Sequence, residues 1–155
     1  GASEEIYELT EWGYAAEPIL WMLGGWAMRS PLHDPTRPLS AASLLLSMKV
    51  MLDREAAAPL TGIIRMKLNG EDYFAELDRG DIEVGRGRPD KVRVTITGEP
   101  AILAGWLFGS GDDETLAAAD KLAVEGDLAF AMRFADCFEV PEKAPLPSDD
   151  ETLLP

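Results

Sequence analysis

Side chains suited to chemistry are few in this chain of 155 residues, which holds one histidine, His33, and one cysteine, Cys137. His33 is followed by Asp34, the start of an acid–base pair. A general base works only when it is held within hydrogen-bond reach of the proton it takes. His33 lies among Pro31, Pro35 and Pro38 with no nucleophile beside it, so it reads as a solvated linker residue. Cys137 sits between Phe134-Ala135 and Phe138, the setting of a small buried thiol rather than a nucleophile. One histidine and one cysteine far apart do not make a transition-metal site. A single cysteine also excludes an internal disulfide framework. The acidic clusters Asp112-Asp113-Glu114 and Asp149-Asp150-Glu151 lack the alternation and the glycine of a calcium loop. No catalytic residue, metal or cofactor is expected, and the chain reads as a binding or structural protein rather than an enzyme.

Two motifs suggest macromolecular partners. Gly85-Arg86-Gly87-Arg88-Pro89 has the form of an AT-hook core, whose arginines enter a narrow minor groove. Arg79-Gly80-Asp81 has the form of a cell-adhesion tripeptide. Both fall between strand-like segments, where a turn is the simpler account. Lys and Arg total 14 against 28 Asp and Glu, a formal charge of -14. So negative a chain repels a phosphate backbone, and these residues alone should bind nucleic acid poorly and without specificity. The N-terminal Gly-Ala-Ser-Glu-Glu has neither the basic nor the apolar region of a signal peptide, and a cytoplasmic location is expected.

The set with more promise is apolar. Met48, Met51, Leu52, Met66, Phe74, Trp106, Phe130 and Phe134 fall on elements expected to cover or form a sheet. Such residues are ordinarily plain core. Methionine, however, suits an apolar site that must accept varied shapes.

The elements that would position them follow from periodicity. Thr10 is a candidate N-cap for a helix reaching about Met28, which Pro18 either kinks or restarts. Ile19, Leu20, Leu23 and Trp26 form one apolar stripe, and Trp21, Met22 and Met28 lie off it. A helix apolar nearly all round needs burial on more than one side. Gly24-Gly25 should weaken it. Residues 31–38 read as a proline-stiffened linker. Ser40 caps a helix expected to reach about Ala57. Ile64 to Leu68 alternates apolar and cationic residues, as a half-buried strand does, and Asn69-Gly70 is a hairpin turn. Further strands are expected at 71–77, 82–84, 92–97 and 122–125, and helices at 98–108, 113–119 and 127–138. From Pro141 the chain is acidic and proline-rich, and is read as disordered. The pentapeptide Asp-Asp-Glu-Thr-Leu occurs at 112–116 and again at 149–153, with no physical account.

Two stretches carry a family resemblance. Tyr7-Glu8-Leu9-Thr10-Glu11-Trp12-Gly13, with Glu17-Pro18-Ile19-Leu20 and Trp26, resembles the end of the winged helix-turn-helix domain of HxlR-type transcription regulators. There the wing strand runs into a long dimerisation helix. Residues 39–140, with Leu107-Phe108-Gly109 and Val124-Glu125-Gly126-Asp127, resemble the sterol-carrier-protein-like domain appended to some of these regulators.

The resemblance implies an α/β (α+β) fold. A five-stranded, mostly antiparallel sheet with a crossover strand would be covered by helices and preceded by a dimerisation helix. It implies four parts: 1–30, the end of a winged-helix domain; 31–38, a linker; 39–140, the sterol-carrier-like domain; and 141–155, a disordered acidic tail. It further implies a lipid-sensing effector domain of a bacterial regulator. A small apolar ligand would lie against the eight residues above. The homodimer would form through Trp12, Ile19, Leu20, Trp21, Leu23 and Trp26. DNA would be contacted only by a domain N-terminal to these residues. The alternative is a structural dimerisation module with a closed core and no ligand.

Overall fold

In the computed structural model, residues 10–32, 38–109 and 120–146 are described. Thr10 accepts a hydrogen bond from the Gly13 N–H at 3.1 Å and starts helix α1, Glu11–Tyr14. Helix α2, Glu17–Met28, restarts at Pro18, whose missing N–H costs nothing in a first turn. Ser40 caps α3, Ala41–Met51, accepting from Ser43 N–H at 3.1 Å. The single helix expected as far as Ala57 is in fact two. Leu52 leaves α3 in an extended conformation, and Asp53 caps a new short helix, α4, Arg54–Ala57. The break arises because Asp53 competes for the backbone N–H groups of Glu55 and Ala56.

Five strands follow the expected order: β1 Thr61–Leu68, β2 Glu71–Asp78, β3 Asp81–Arg86, β4 Val94–Gly98 and β5 Ala123–Gly126. The sheet is open, with spatial order β3-β2-β1-β4-β5. Only β1 and β4 pair parallel, Ile64 opposite Val94 and Met66 opposite Ile96. Both hairpins turn through left-handed pairs, Asn69-Gly70 and Arg79-Gly80. The Arg79-Gly80-Asp81 and Gly85–Pro89 motifs are thereby parts of turns and strand ends. Arg86 is also engaged in an ion pair with Glu71. Helix α5, Pro100–Phe108, and helix α6, Leu128–Ala135, complete the cover. The final helix ends before Phe138, which forms an isolated bridge with Leu52 instead.

Alternation sorts the sheet into two faces. Ile64, Met66 and Leu68 of β1, Ala75 and Leu77 of β2, and Val94 and Ile96 of β4 are buried toward the helices. The opposite face carries Arg65, whose guanidinium holds Asp72 at 2.6 Å, and Lys67, Glu76 and Thr97.

The start of α6 is latched to the sheet. Asp127 accepts from Phe130 N–H at 2.9 Å and pairs with Arg93, whose guanidinium stacks 4.1 Å from the Phe130 ring centre. The Phe130 N–H first, and Arg93 second, hold the Asp127 carboxyl below its ordinary value of 3.8. A depressed folded-state pKa gives stability that is complete above the ordinary value and lost as pH falls through the lower folded one. Urea denaturation should therefore find wild type more stable than Asp127→Ala at pH 7. The difference should narrow below about pH 4. An advantage that persists undiminished in acid would show that the carboxylate charge contributes nothing.

The expectations at Ile6–Leu9, His33-Asp34, 112–119 and 149–155 lie outside the described residues. Pro141–Leu146, expected to begin a disordered tail, instead returns to the end of α2, where Lys143 and Ala144 donate to its carbonyl groups.

The candidate ligand-binding core

The core is built from the inner face of the sheet upward. Leu44, Leu45 and Met48 of α3 cover one part, Leu103 and Leu107 of α5 another, and Phe130, Ala131 and Phe134 of α6 a third. Four residues singled out as ligand-binding meet in this one cluster: Met48, Met66, Phe130 and Phe134, each at most 2% exposed. Leu52 and Trp106 pack at its margin, half-buried. Met51 is buried but lies outside the contiguous cluster.

Phe74 is not brought to the same place. It pairs in register with Arg65 and alternates with buried Ala75, which puts it on the outer face over Gly85. Its assignment to the interior fails because Phe74 is one residue out of phase with the inward positions 75 and 77. The sole buried polar residue among those described, Thr95, also belongs by alternation to the outer face. Apart from the Cys137 thiol, which is engaged by the Arg133 carbonyl, and Tyr73 at its margin, whose hydroxyl donates to Glu71, the inner cluster is apolar. Such a lining suits contact with hydrocarbon.

Two residues missed at the sequence level belong beside this cluster. Phe138 meets Phe134 edge-on at 5.1 Å and Phe108 edge-on at 5.6 Å between ring centres. The signal was present: Phe130, Phe134 and Phe138 recur every fourth residue, and the pattern outlasts the helix.

Two open depressions lie on the outer face of the sheet. One, of about 420 Å³, is lined by Arg65, Lys67, Asn69, Asp72, Thr97 and Glu99 among others. The other, of about 270 Å³, has Ile63 and Phe74 with Arg88 and Pro89. Neither is bounded by the inner cluster, whose own side chains fill it.

Cys137 closes one end of the core, its thiol donating to the Arg133 carbonyl oxygen at 3.1 Å. Burial, reinforced by Asp136 and Asp53, pushes the thiol up to about 11. At pH 8 roughly one thiol in a thousand is then ionised. Ellman's reagent should react with Cys137 only on unfolding. Rapid stoichiometric reaction with the native protein would contradict this burial.

The residues expected at a dimer interface divide between two surfaces. Trp12, Ile19, Leu20, Leu23 and Trp26 are exposed, Trp12 by 88% and Trp26 by 73%. Trp21 is not on that surface. It faces α3, with the Lys49 ammonium 4.9 Å from its ring centre and Glu17 holding Lys49 at 2.8 Å. Gly24 and Gly25 face the same way, and Cβ atoms there would already touch Val50. The glycine pair that weakens the helix thus lies on the side of α2 that faces α3.

A protein-family model matches residues 44–139, more than half of the chain, and its description is the SCP-2 sterol transfer family. The chain belongs to that family. No curated protein matches it in sequence. Among solved structures, the stereoselective inverting sec-alkylsulfatase Pisa1 from a Pseudomonas species is 16% identical, with a TM-score of 0.56. That alignment covers 65% of this chain and only 16% of the sulfatase, and the likeness is one of fold alone. Sterol carrier protein 2 like 2 from Aedes aegypti is 18% identical over 80% of this chain and 98% of that one, with a TM-score of 0.35. Sterol carrier protein 2 from Yarrowia lipolytica, in its apo form, is 16% identical over 79% and 92%, with a TM-score of 0.39. Among the described residues of this SCP-2 family chain, no helix is long and apolar enough to cross a membrane.

Proposed function

We propose that this SCP-2 family domain, residues 39–140, binds a small apolar or amphipathic, lipid-like molecule between its sheet and its helices. The observation that carries the reading is the apolar cluster of Met48, Met66, Phe130 and Phe134 in a chain of this family. Two methionines in its centre let the cluster rearrange around a guest at small cost. The role is binding, not catalysis.

We further propose that the domain is the sensing part of a bacterial transcription regulator of HxlR type, dimeric through α1 and α2 and acting in the cytoplasm. The support is the resemblance of residues 7–26 together with the apolar side chains those helices expose, Trp12, Ile19, Leu20, Leu23 and Trp26. A ligand can bias such a regulator only by its differential affinity for two arrangements of the dimer. DNA contact would belong to a domain preceding these residues.

A second reading is favoured by one observation: the inner cluster is filled by its own side chains, as in a structural module with a closed core. Thermal-shift titration with fatty acids, acyl esters and sterols separates the two. A ligand at a hundred times its Kd stabilises by about 2.7 kcal/mol. Saturable stabilisation by one class of ligand supports binding. An unchanged Tm across the panel supports the closed module.

A further inference from the structure

The chain after α6 does more than end the domain. At its start, Asp53 N–H donates to the Cys137 carbonyl at 2.8 Å and Glu139 N–H to that of Met51 at 2.9 Å. Leu52 and Phe138 bridge between these bonds. The Phe138 ring stands edge-on to Phe108 of α5 and to Phe134 of α6, so its place depends on both helices. Six residues later the same segment meets the far end of α2. Lys143 Nζ donates to the Met28 carbonyl at 2.8 Å, and Ala144 N–H donates to that of Arg29 at 2.7 Å. Arg29 Nε returns a bond to the Glu142 carbonyl at 3.3 Å.

These bonds serve carbonyl groups at the end of α2 that the helix cannot satisfy by itself. The last carbonyls of a helix lack partners within it. Here the Trp26 and Ala27 carbonyls are taken by Arg29 and Ser30 N–H. Those of Met28 and Arg29 are left, and the returning segment supplies their donors. The last turn of α2 also has no basic residue. Lys143, 115 positions from Met28 in sequence, brings the cation that the negative end of the helix dipole favours.

The geometry points to a strap, Phe138–Ala144, that ties the end of α2 to the helices walling the core and transmits their displacement to it. Parting α5 from α6 moves Phe138, which sits against both. The short strap carries that movement to the C-terminal turn of α2. This would couple the core to the exposed apolar surface of α2 by a continuous set of contacts, which is the kind of route coupling requires. The inference needs no ligand, so it stands or falls apart from the binding reading.

Hydrogen exchange followed by mass spectrometry on the full chain tests it. Ala144→Pro removes one strap donor and touches nothing in the core. It should speed exchange in the last turn of α2 by roughly five-fold, the loss of one net hydrogen bond, with the sheet unchanged. Phe138→Ala, at the other end of the strap, should speed the same α2 amides although Phe138 pairs with neither Met28 nor Arg29. Phe138→Leu keeps the apolar volume without the edge-on rings, and serves should the alanine variant not fold. Wild-type α2 exchange in Ala144→Pro would overturn the strap. Faster exchange confined to α5 and α6 in the Phe138 variants would overturn the transmission.

Discussion

Phe134→Ala should destabilise the domain by about 3–5 kcal/mol, the usual range for emptying a fully buried aromatic site. Phe134 is wholly buried, touches the core cluster, and supports Phe138 through an edge-on contact. Its loss leaves a cavity and also frees a ring on which α5 leans. Urea denaturation followed by circular dichroism gives the number. A further consequence separates a filled core from an adaptable one. If the interior accepts apolar guests, the new space should strengthen binding of a short hydrocarbon chain and recover part of the lost stability. A cost below about 1 kcal/mol would mean that Phe134 does not anchor the helices as described.

The second large effect is expected at α2. Leu23→Glu together with Trp26→Glu should convert the proposed dimer to a monomer, with Kd raised on the order of a thousandfold if each side chain is worth about 2 kcal/mol. Pro18 to Met28 carries no charged residue, although the chain has a formal charge of -14. Two copies of so acidic a chain meet with least repulsion on an uncharged face, and α2 provides one. Leu23 and Trp26 point away from α3, so the fold itself should be unaffected. Sedimentation equilibrium at several concentrations measures the change. A wild-type chain that sediments as a monomer at millimolar concentration would remove the dimer from the account, and with it the sensing mechanism.

Much of this architecture is legible in local sequence because local chemistry decides it. Asn69-Gly70 declares the first hairpin, and Ile64/Met66/Leu68 declares which face of β1 is buried. Thr10, Ser40 and Asp127 each cap the helix they precede. What escaped has two kinds of cause, local competition or phase for Asp53 and Phe74, and distant parts of the chain for Trp21 and the strap. The break after Met51 arises from an Asp53 cap inside an otherwise helical pattern. Phe74 looks like core by type, but its phase along β2 places it outside. Trp21 belongs to the apolar helix, yet α3 claims it through Lys49, 28 residues further on. The strap was hidden altogether, because the acidic, proline-rich composition of its surroundings reads as disorder and its value lies in carbonyl groups over a hundred residues away.

The six methionines allow the central claim, an apolar guest between sheet and helices, to be tested by one measurement. Met48, Met51 and Met66 are buried, while Met22 is 77% exposed and Met132 is 50% exposed. Methyl-labelled methionine gives an NMR spectrum in which each reports its own surroundings. Titrating hexadecanoic acid below its micellar concentration should shift the Met48 and Met66 signals saturably and leave Met22 and Met132 in place. Shifts confined to Met22 and Met132, or a spectrum that does not change, would contradict the account.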